Sequence, residues 1–238
     1  MTGFPTLKFY ATAPHPCSYL PDHEATTLFV APELEVTDDH SVQLAESGFR
    51  RSGRYVYRPH CANCSACISV RVPTALFHHK RRHQRTLNKN SDLQISTRDP
   101  ILDAEHYALY QRYIEQRHAD GDMYPPSASQ FESFLTSGGD HAGFLEAHLG
   151  GQLIATMLFD RIGEHGLSAI YTFFNPDPQF DSRSLGRFMI LRLIQMAQTE
   201  DIPYVYLGYW IRDCQKMAYK TEYRPIEMLI NSRWIRTD

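Results

Sequence analysis

Three clusters in this sequence have residue types and spacing that could do chemistry. The first is Cys61-Ala-Asn-Cys64-Ser-Ala-Cys67. Thiolates at i, i+3 and i+6 around a turn can converge on one soft metal ion, and Cys17 is available as a fourth ligand. The set Cys17, Cys61, Cys64 and Cys67 is consistent with a structural zinc or an iron–sulfur site. It is equally consistent with packed, reduced thiols, because no second C-x-x-C completes a zinc ribbon. The second cluster is the run His78–Asn90, in which Lys80, Arg81, Arg82, Arg85 and Lys89 could neutralise about five phosphates. The interleaved His and amide side chains suit riboses and bases, so RNA is the expected partner. The third is His118, Asp120 and Asp122 ahead of Met123, a set suited to acid–base work or simply to a helix end and turn.

A weaker signal is Asp181-Ser-Arg-Ser-Leu-Gly186, placed before a helix. Coenzyme-A acetyltransferases cradle a pyrophosphate on backbone N–H groups of a loop in this setting. Arg183 and Gly186 match the first half of such a loop. Phe188 stands where a second Gly or Ala is needed, which speaks against a coenzyme-A donor. No G-x-S-x-G elbow, P-loop or H-E-x-x-H is present, so hydrolase, ATPase and metalloprotease readings lose their usual support.

The elements that must position these groups belong to an ordinary globular chain. It has 238 residues, 42% apolar and 21% charged, enough for one large domain or two small ones. No apolar run approaches the roughly 20 residues of a membrane helix. Met1–Tyr10 lacks the apolar stretch of a secretory signal. Five Cys is an odd number, which suits a reduced cytoplasmic protein better than a disulfide scaffold. The net charge is −3, but it is polarised: residues 50–98 carry eleven Lys/Arg and one acid, whereas the remainder carries 13 basic and 26 acidic residues. Clustered charge of this kind marks a face for an anionic partner.

Periodicity predicts the elements. Residues 1–49 have no long periodic segment; Phe4, Phe9, Tyr10, Tyr19, Leu20 and Phe29 could anchor them, with a helix near Pro32–Ser47. Arg54–Pro59 and Ile68–Pro73 read as strands around the Cys-rich turn, the second with Ile68, Val70 and Val72 inward and Ser69 and Arg71 outward. Phe77–Lys89 reads as a polar helix with its cations on more than one side. Leu102–His118 is a helix, and a capping box at Ser129–Glu132 opens a short one. Gly143–Leu149 and Gln152–Asp160 flank a Gly150-Gly151 hairpin turn, followed by a strand over Leu167–Phe174. A helix over Ser184–Thr199, a strand over Tyr204–Tyr209, a short helix over Asp213–Lys220 and a last strand over Pro225–Ile230 complete an α+β order of acyltransferase type.

Several pieces together resemble one family. They are Cys17-Ser-Tyr-Leu-Pro21, the stretch Arg54-Tyr-Val-Tyr-Arg-Pro through Cys67, Arg71-Val-Pro73, Asn88-Lys-Asn90-Ser-Asp-Leu93, Tyr113–Met123, Tyr206-Leu-Gly-Tyr-Trp-Ile211 and Met217–Glu227. Their order and spacing resemble the bacterial branch of the arginyl-tRNA–protein transferases, the aspartate/glutamate leucyltransferases, over nearly the whole chain. The resemblance implies an α+β fold: an N-terminal Cys-containing transferase domain over 1–98, and a GNAT-like acetyltransferase-type domain with a mixed, mostly antiparallel sheet over 99–238. It implies transfer of leucine from leucyl-tRNA to the N-terminal α-amine of proteins beginning with Asp or Glu, which marks them for degradation. The longer eukaryotic relatives carry a Cys-x-x-Cys near the N-terminus whose second position here is Leu20, so their cluster site is not carried over.

An aminoacyl ester is already activated, so this chemistry needs no cofactor and no enzyme nucleophile. It needs a neutral amine, close approach and donors for the oxyanion. Tyr209, Tyr219 and Lys220 are expected at the oxyanion or ribose, and Asp122 at the amine. Arg54, Arg58 and Arg71 beside the Cys run are expected to clamp the acidic side chain, and Met123, Phe173 and Trp210 to form an apolar aminoacyl pocket. The competing readings are arginine as the transferred residue, a small-molecule N-acetyltransferase, and a non-catalytic tRNA-binding or metal-sensing protein. Oligomeric state is not legible.

Overall fold

The computed structural model describes residues 7–32 and 36–238. Phe4 and residues 33–35 of the expected first helix lie outside the described residues. The N-terminal part holds strands β1 (Phe9–Ala11), β2 (His15–Pro16), β3 (Glu24–Ala25) and β4 (Thr27–Val30), then helix α1 (Asp38–Glu46). Thr37 caps α1 by accepting from the His40 N–H. Strands β5 (Arg50–Ser52) and β6 (Tyr55–Pro59) join β1 and β4 in a small sheet of order β1-β4-β6-β5.

The rest of the chain builds one eight-stranded sheet around helices. Its elements are β7 (Ile68–Pro73), α2 (Arg81–Lys89), β8 (Gln94–Arg98), α3 (Ala104–Arg117), α4 (Ala128–Phe131), β9 (Ala142–Leu149), β10 (Gln152–Ile162), β11 (Gly166–Phe174), α5 (Pro178–Asp181), α6 (Leu185–Thr199), β12 (Tyr204–Trp210), β13 (Ile226–Ile230) and β14 (Arg233–Thr237). A 3₁₀ segment, Gln215–Glu222, links β12 to β13. The sheet order is β14-β13-β7-β12-β11-β10-β9-β8. All neighbouring pairs are antiparallel except β11 and β12. This is the α+β class expected, with its mixed, mostly antiparallel sheet. The 98/99 boundary does not divide that sheet: β7 lies between β12 and β13, and β8 forms the far edge beside β9.

Local sequence explains much of this. Gly150 and Gly151 have φ of +57° and +87°, the backbone a two-residue hairpin between β9 and β10 demands. The apolar row Leu185, Met189, Leu193 and Ala197 of α6 is buried against one face of the sheet. Leu109, Tyr110, Tyr113 and Ile114 of α3 pack with Phe144 and Phe173 in a second core. Three expectations change. Ser127, not Ser129, caps the short helix by accepting from the Gln130 N–H, so the helix begins at Ala128. β8 and β14 went unseen in the sequence, because both are edge strands with mostly exposed, polar residues. The polar helix starts at Arg81 rather than at Phe77, and its cations share one outward face. Arg81, Arg85 and Lys89 stand four apart, while His83 and Asn90 turn inward.

The largest correction concerns Arg71. Alternation places it on an open face of β7, yet it is 5% exposed because α1 and the β13–β14 hairpin cover that face. Its guanidinium lies 3.6 Å from the Tyr204 ring centroid and 4.1 Å from that of Trp234. Nε donates to Glu227 at 2.7 Å, and Nη1 donates to Glu46 and to the Tyr206 hydroxyl. Burial would raise the Glu46 carboxyl, but Arg71 and hydrogen bonds from His165, Arg71 and Tyr206 hold it below the usual carboxylate range. Arg71→Ala leaves Glu227 without its ion-pair partner and Glu46 with only His165 and Tyr206, and should cost about 3–5 kcal/mol of stability in urea unfolding. A loss under 1 kcal/mol would show the pair to be dispensable.

Candidate active site

Strands β11 and β12 pair only from Gly166–Ser168 to Tyr204–Tyr206. Beyond that, β11 stays with β10 and β12 turns away with β7. The two parallel strands therefore part, and a cavity of about 480 Å³ opens where they separate. α6 and α3 close its sides, and the 3₁₀ segment supplies Lys216, Tyr219 and Lys220. β11 is bulged here: Leu158 faces Tyr171 while Phe159 faces Ala169, so Ile170 is the extra residue. A bulged residue drops out of the ladder, and Ile170 borders the cavity.

The cavity is cationic. Arg50, Arg187, Lys216 and Lys220 line it together with His118, and no carboxylate is among the described lining residues. Lys220 is 6% exposed and donates to the Tyr209 carbonyl at 2.6 Å. Burial, reinforced by the positive charge of Arg50, pulls its pKa down to about 7. Burial also holds the His118 imidazole below its ordinary pKa, with Lys216 acting in the same direction. Met157, Phe174, Ile190 and Leu207 give it an apolar wall, and Tyr113, Tyr171, Thr172 and Tyr219 bring polar groups to the lining.

Arg50 crosses from the small sheet into the gap between the parted strands and donates to the Ala169 carbonyl. Gly208 makes this approach feasible: its φ is +79°, and a Cβ there would stand 1.5 Å from Arg50 Nη1. The sequence reading counted Arg50 only as part of the basic segment. A glycine within the Tyr206–Tyr209 strand was the one available sign of a close approach.

The other expected residues divide clearly. Tyr219 and Lys220 line the cavity. Tyr209 does not: it is 4% exposed, its hydroxyl is turned to the Gly48 and Tyr57 carbonyls, and its own carbonyl accepts from Lys220. Asp122 is exposed on the loop after α3, outside the lining. Phe173 is fully buried in the second core, Met123 packs beside that core, and Trp210 packs on the first. None of these three lines the cavity, so its apolar wall is a different set. Arg58 lies over the Phe49 ring and donates to the Ser47 carbonyl, Arg54 is exposed beside Tyr55, and Arg71 is consumed in its ion pairs. The expected three-arginine clamp therefore does not assemble.

Lys80, Arg81, Arg82, Arg85 and Lys89 are all exposed. The first four, with Arg224, border a shallow groove. Arg82 and Arg187 both pair with Glu222, at 3.6 and 3.0 Å, and Arg187 also lines the cavity. A basic track thus runs from α2 to the cavity mouth. His83 is not part of it: it is stacked between Phe77 and Tyr223, and burial pulls its pKa down to about 4. Arg183 of the half-matched loop makes a two-pronged ion pair with Asp92, and Phe188 is core.

The five cysteines are partly buried and carry no disulfide. Burial, then the neighbouring Cys17, Cys61, Cys64 and Cys214, pushes the Cys67 thiol up to about 12. Among the described residues no three His, Cys, Asp or Glu side chains stand close enough together to hold a metal ion. As placed, Cys17, Cys61, Cys64 and Cys67 are not gathered into one ligand set.

Parted parallel strands, a bulge beside the gap and a buried amine define an acyltransferase-type α+β protein with an unusually cationic cleft. Comparison with known proteins narrows this. "Arginine-tRNA-protein transferase, C terminus" matches residues 105–230 and "Arginine-tRNA-protein transferase, N terminus" matches residues 15–85. The chain belongs to the arginine-tRNA-protein transferase family. A relative from Pseudomonas putida (strain W619) is 52% identical over 235 residues, 99% of each chain, and is named aspartate/glutamate leucyltransferase. One from Pseudomonas aeruginosa (strain LESB58), of the same name, is 51% identical over the same share of each chain. Among solved structures, L-PGS from Bacillus licheniformis overlaps 72% of this chain and 58% of its own at 10% identity and a TM-score of 0.49. FemX overlaps 89% and 81% at 9% identity and a TM-score of 0.47.

Proposed function

We propose that this chain transfers leucine from leucyl-tRNA to the α-amine of proteins that begin with Asp or Glu. The full-length kinship to leucyltransferases supports the reaction, and the single structural observation that carries it is the cationic cavity joined to the α2 track. The track suits the tRNA acceptor stem, with Arg187 and Lys216 meeting phosphates near the 3′ end. The apolar wall of Met157, Ile190 and Leu207 suits a leucyl side chain. The arginyl-donor reading is disfavoured by the same cavity, because a guanidinium there would meet four cations and, among the described lining residues, no carboxylate.

In this reading the neutral α-amine attacks the ester carbonyl carbon. The new C–N bond forms as the carbonyl electron pair moves onto oxygen, and the backbone N–H of Ile170, the bulged residue at the cavity, is assigned as a donor for that oxyanion. Lys220 in its neutral form takes the excess proton from the amine. The C–O bond to the ribose then breaks and Lys220 returns the proton to the leaving oxygen. Atoms and charge balance without a cofactor. The product carries an N-terminal leucine, a signal for degradation in the cytoplasm.

Among the described residues no helix is long and apolar enough to cross a membrane. The test is a transfer assay with leucyl-, arginyl- and phenylalanyl-tRNA against peptides beginning with Asp, Glu, Arg or Ala, read by mass. Leucine added only to Asp and Glu peptides is the expected result. Arginine on those peptides would overturn the donor assignment, and tRNA binding without transfer would overturn the activity.

A further inference from the structure

The acidic acceptor still needs a cation to read it, and the clamp expected from Arg54, Arg58 and Arg71 does not assemble. We propose that Arg50 is the residue that selects Asp and Glu, its guanidinium binding the side-chain carboxylate of the acceptor's first residue. The proposal rests on the leucyl-transfer reading and deepens it.

Four observations carry it. First, the neighbouring arginines are occupied: Arg51 is forked onto Asp160, and Arg71 onto Glu46 and Glu227. The Arg50 side chain makes no ion pair among the described residues, and its one side-chain hydrogen bond there goes to the Ala169 carbonyl. Second, its Nε is buried without a partner, one of seven such side-chain atoms among the described residues and the one whose residue lines the first cavity. Third, the chain makes room for this guanidinium through a glycine at φ +79°, since any side chain at 208 would collide with it. Fourth, Arg50 borders two cavities, the catalytic one and a second of about 290 Å³ toward Arg51, Arg54 and Arg161. It can therefore be approached from a side that the α2 track and Arg187 do not occupy.

The placement also separates it from a phosphate site. Arg187 and Lys216 stand on α6 and the 3₁₀ segment, at the end of the basic track. Arg50 enters from the N-terminal sheet, beside Lys220. An acidic side chain on Arg50 would leave the α-amine of the same residue within reach of Lys220, which couples recognition to proton transfer. A carboxylate on the planar fork of a guanidinium is the geometry arginine favours and an amide cannot reproduce.

The test compares peptides that differ only in Asp versus Asn, or Glu versus Gln, at the first position, with leucyl-tRNA as donor. Arg50→Gln keeps a donor for Ala169 and removes the charge. The ratio of kcat/KM for Asp over Asn should fall at least 100-fold, with the KM for leucyl-tRNA shifting less than threefold, and Arg50→Lys should restore part of the ratio. An equal fall on both peptides, or a change confined to the tRNA KM, would overturn the proposal. A measurement on the unaltered protein guards against a variant that does not fold. Phenylglyoxal labelling of Arg50, mapped by mass spectrometry, should slow at least tenfold with saturating Asp-peptide and not with Asn-peptide. Equal labelling with both would overturn it. Were the unaltered protein to move no leucine at all, the parent reading would fail, while the labelling result would still decide whether Arg50 binds the carboxylate.

Discussion

Lys220→Met should lower kcat for leucine transfer about 100- to 10 000-fold, the range expected for loss of a positioned proton carrier. The reason is environmental. Lysine is ordinarily protonated at neutral pH and useless as a base. Burial beside Arg50 brings Lys220 to about 7, where neutral and charged forms coexist. Lys220→Arg separates this role from a fixed positive charge: arginine keeps the charge but stays protonated, so it should be as inactive as methionine. Recovery of activity in Lys220→Arg would recast Lys220 as an electrostatic anchor. The rate should rise with pH through about 7, as Lys220 becomes neutral, and level off above the acceptor amine's pKa of roughly 7.7–8.0.

The same burial has a stability signature. Between about pH 7 and about 10.4 the folded chain binds fewer protons than the unfolded chain, so this group makes stability rise with pH across that window. The cost of burying the ammonium is therefore greatest below pH 7. Lys220→Met, which removes the ammonium, should gain thermal stability relative to the unaltered chain most at pH 6 and least at pH 10. A gap that does not vary with pH would mean that Lys220 titrates normally.

The second large effect lies on α2. Replacing Arg81, Arg85 and Lys89 together by Gln should raise the KM for leucyl-tRNA roughly 100-fold near physiological salt, and reduce the slope of log affinity against log salt by about 2 to 3. Each side chain is exposed on one helical line and none makes an ion pair among the described residues, so the substitutions leave the packing of His83 and Asn90 intact. Lowering the salt should recover much of the lost affinity, because counterion release is what these residues contribute. An unchanged salt slope would show that the tRNA backbone runs elsewhere.

Much of this protein was legible in its residues before any coordinates. The Gly150-Gly151 turn, the strands on either side of it, the apolar row of α6 and the α3 helix all follow from local rules, because hairpin backbone angles and helical periodicity act over a few residues. The charge asymmetry marked α2 as a cationic face, and its Lys and Arg side chains are exposed. The joint order of the Arg54–Cys67, Tyr206–Ile211 and Met217–Glu227 pieces pointed to the family, and Tyr219 and Lys220 came from one of those pieces.

What the sequence could not decide was which side chains face the cleft. Alternation along β7 correctly separated two faces but could not show that both are covered, so Arg71 looked available when it is sealed against Glu227, 156 residues away. Arg50 looked like one cation among eleven. It became distinctive only where β11 and β12 part, reaching a carbonyl 119 residues away over a glycine. Tyr209 and Phe173 have the chemistry of site residues and the positions of scaffold. Local periodicity reports how a segment is solvated on average. The assignment of a charge to scaffold or site depends on what distant segments bring to its other side, and that is settled only when the sheet closes.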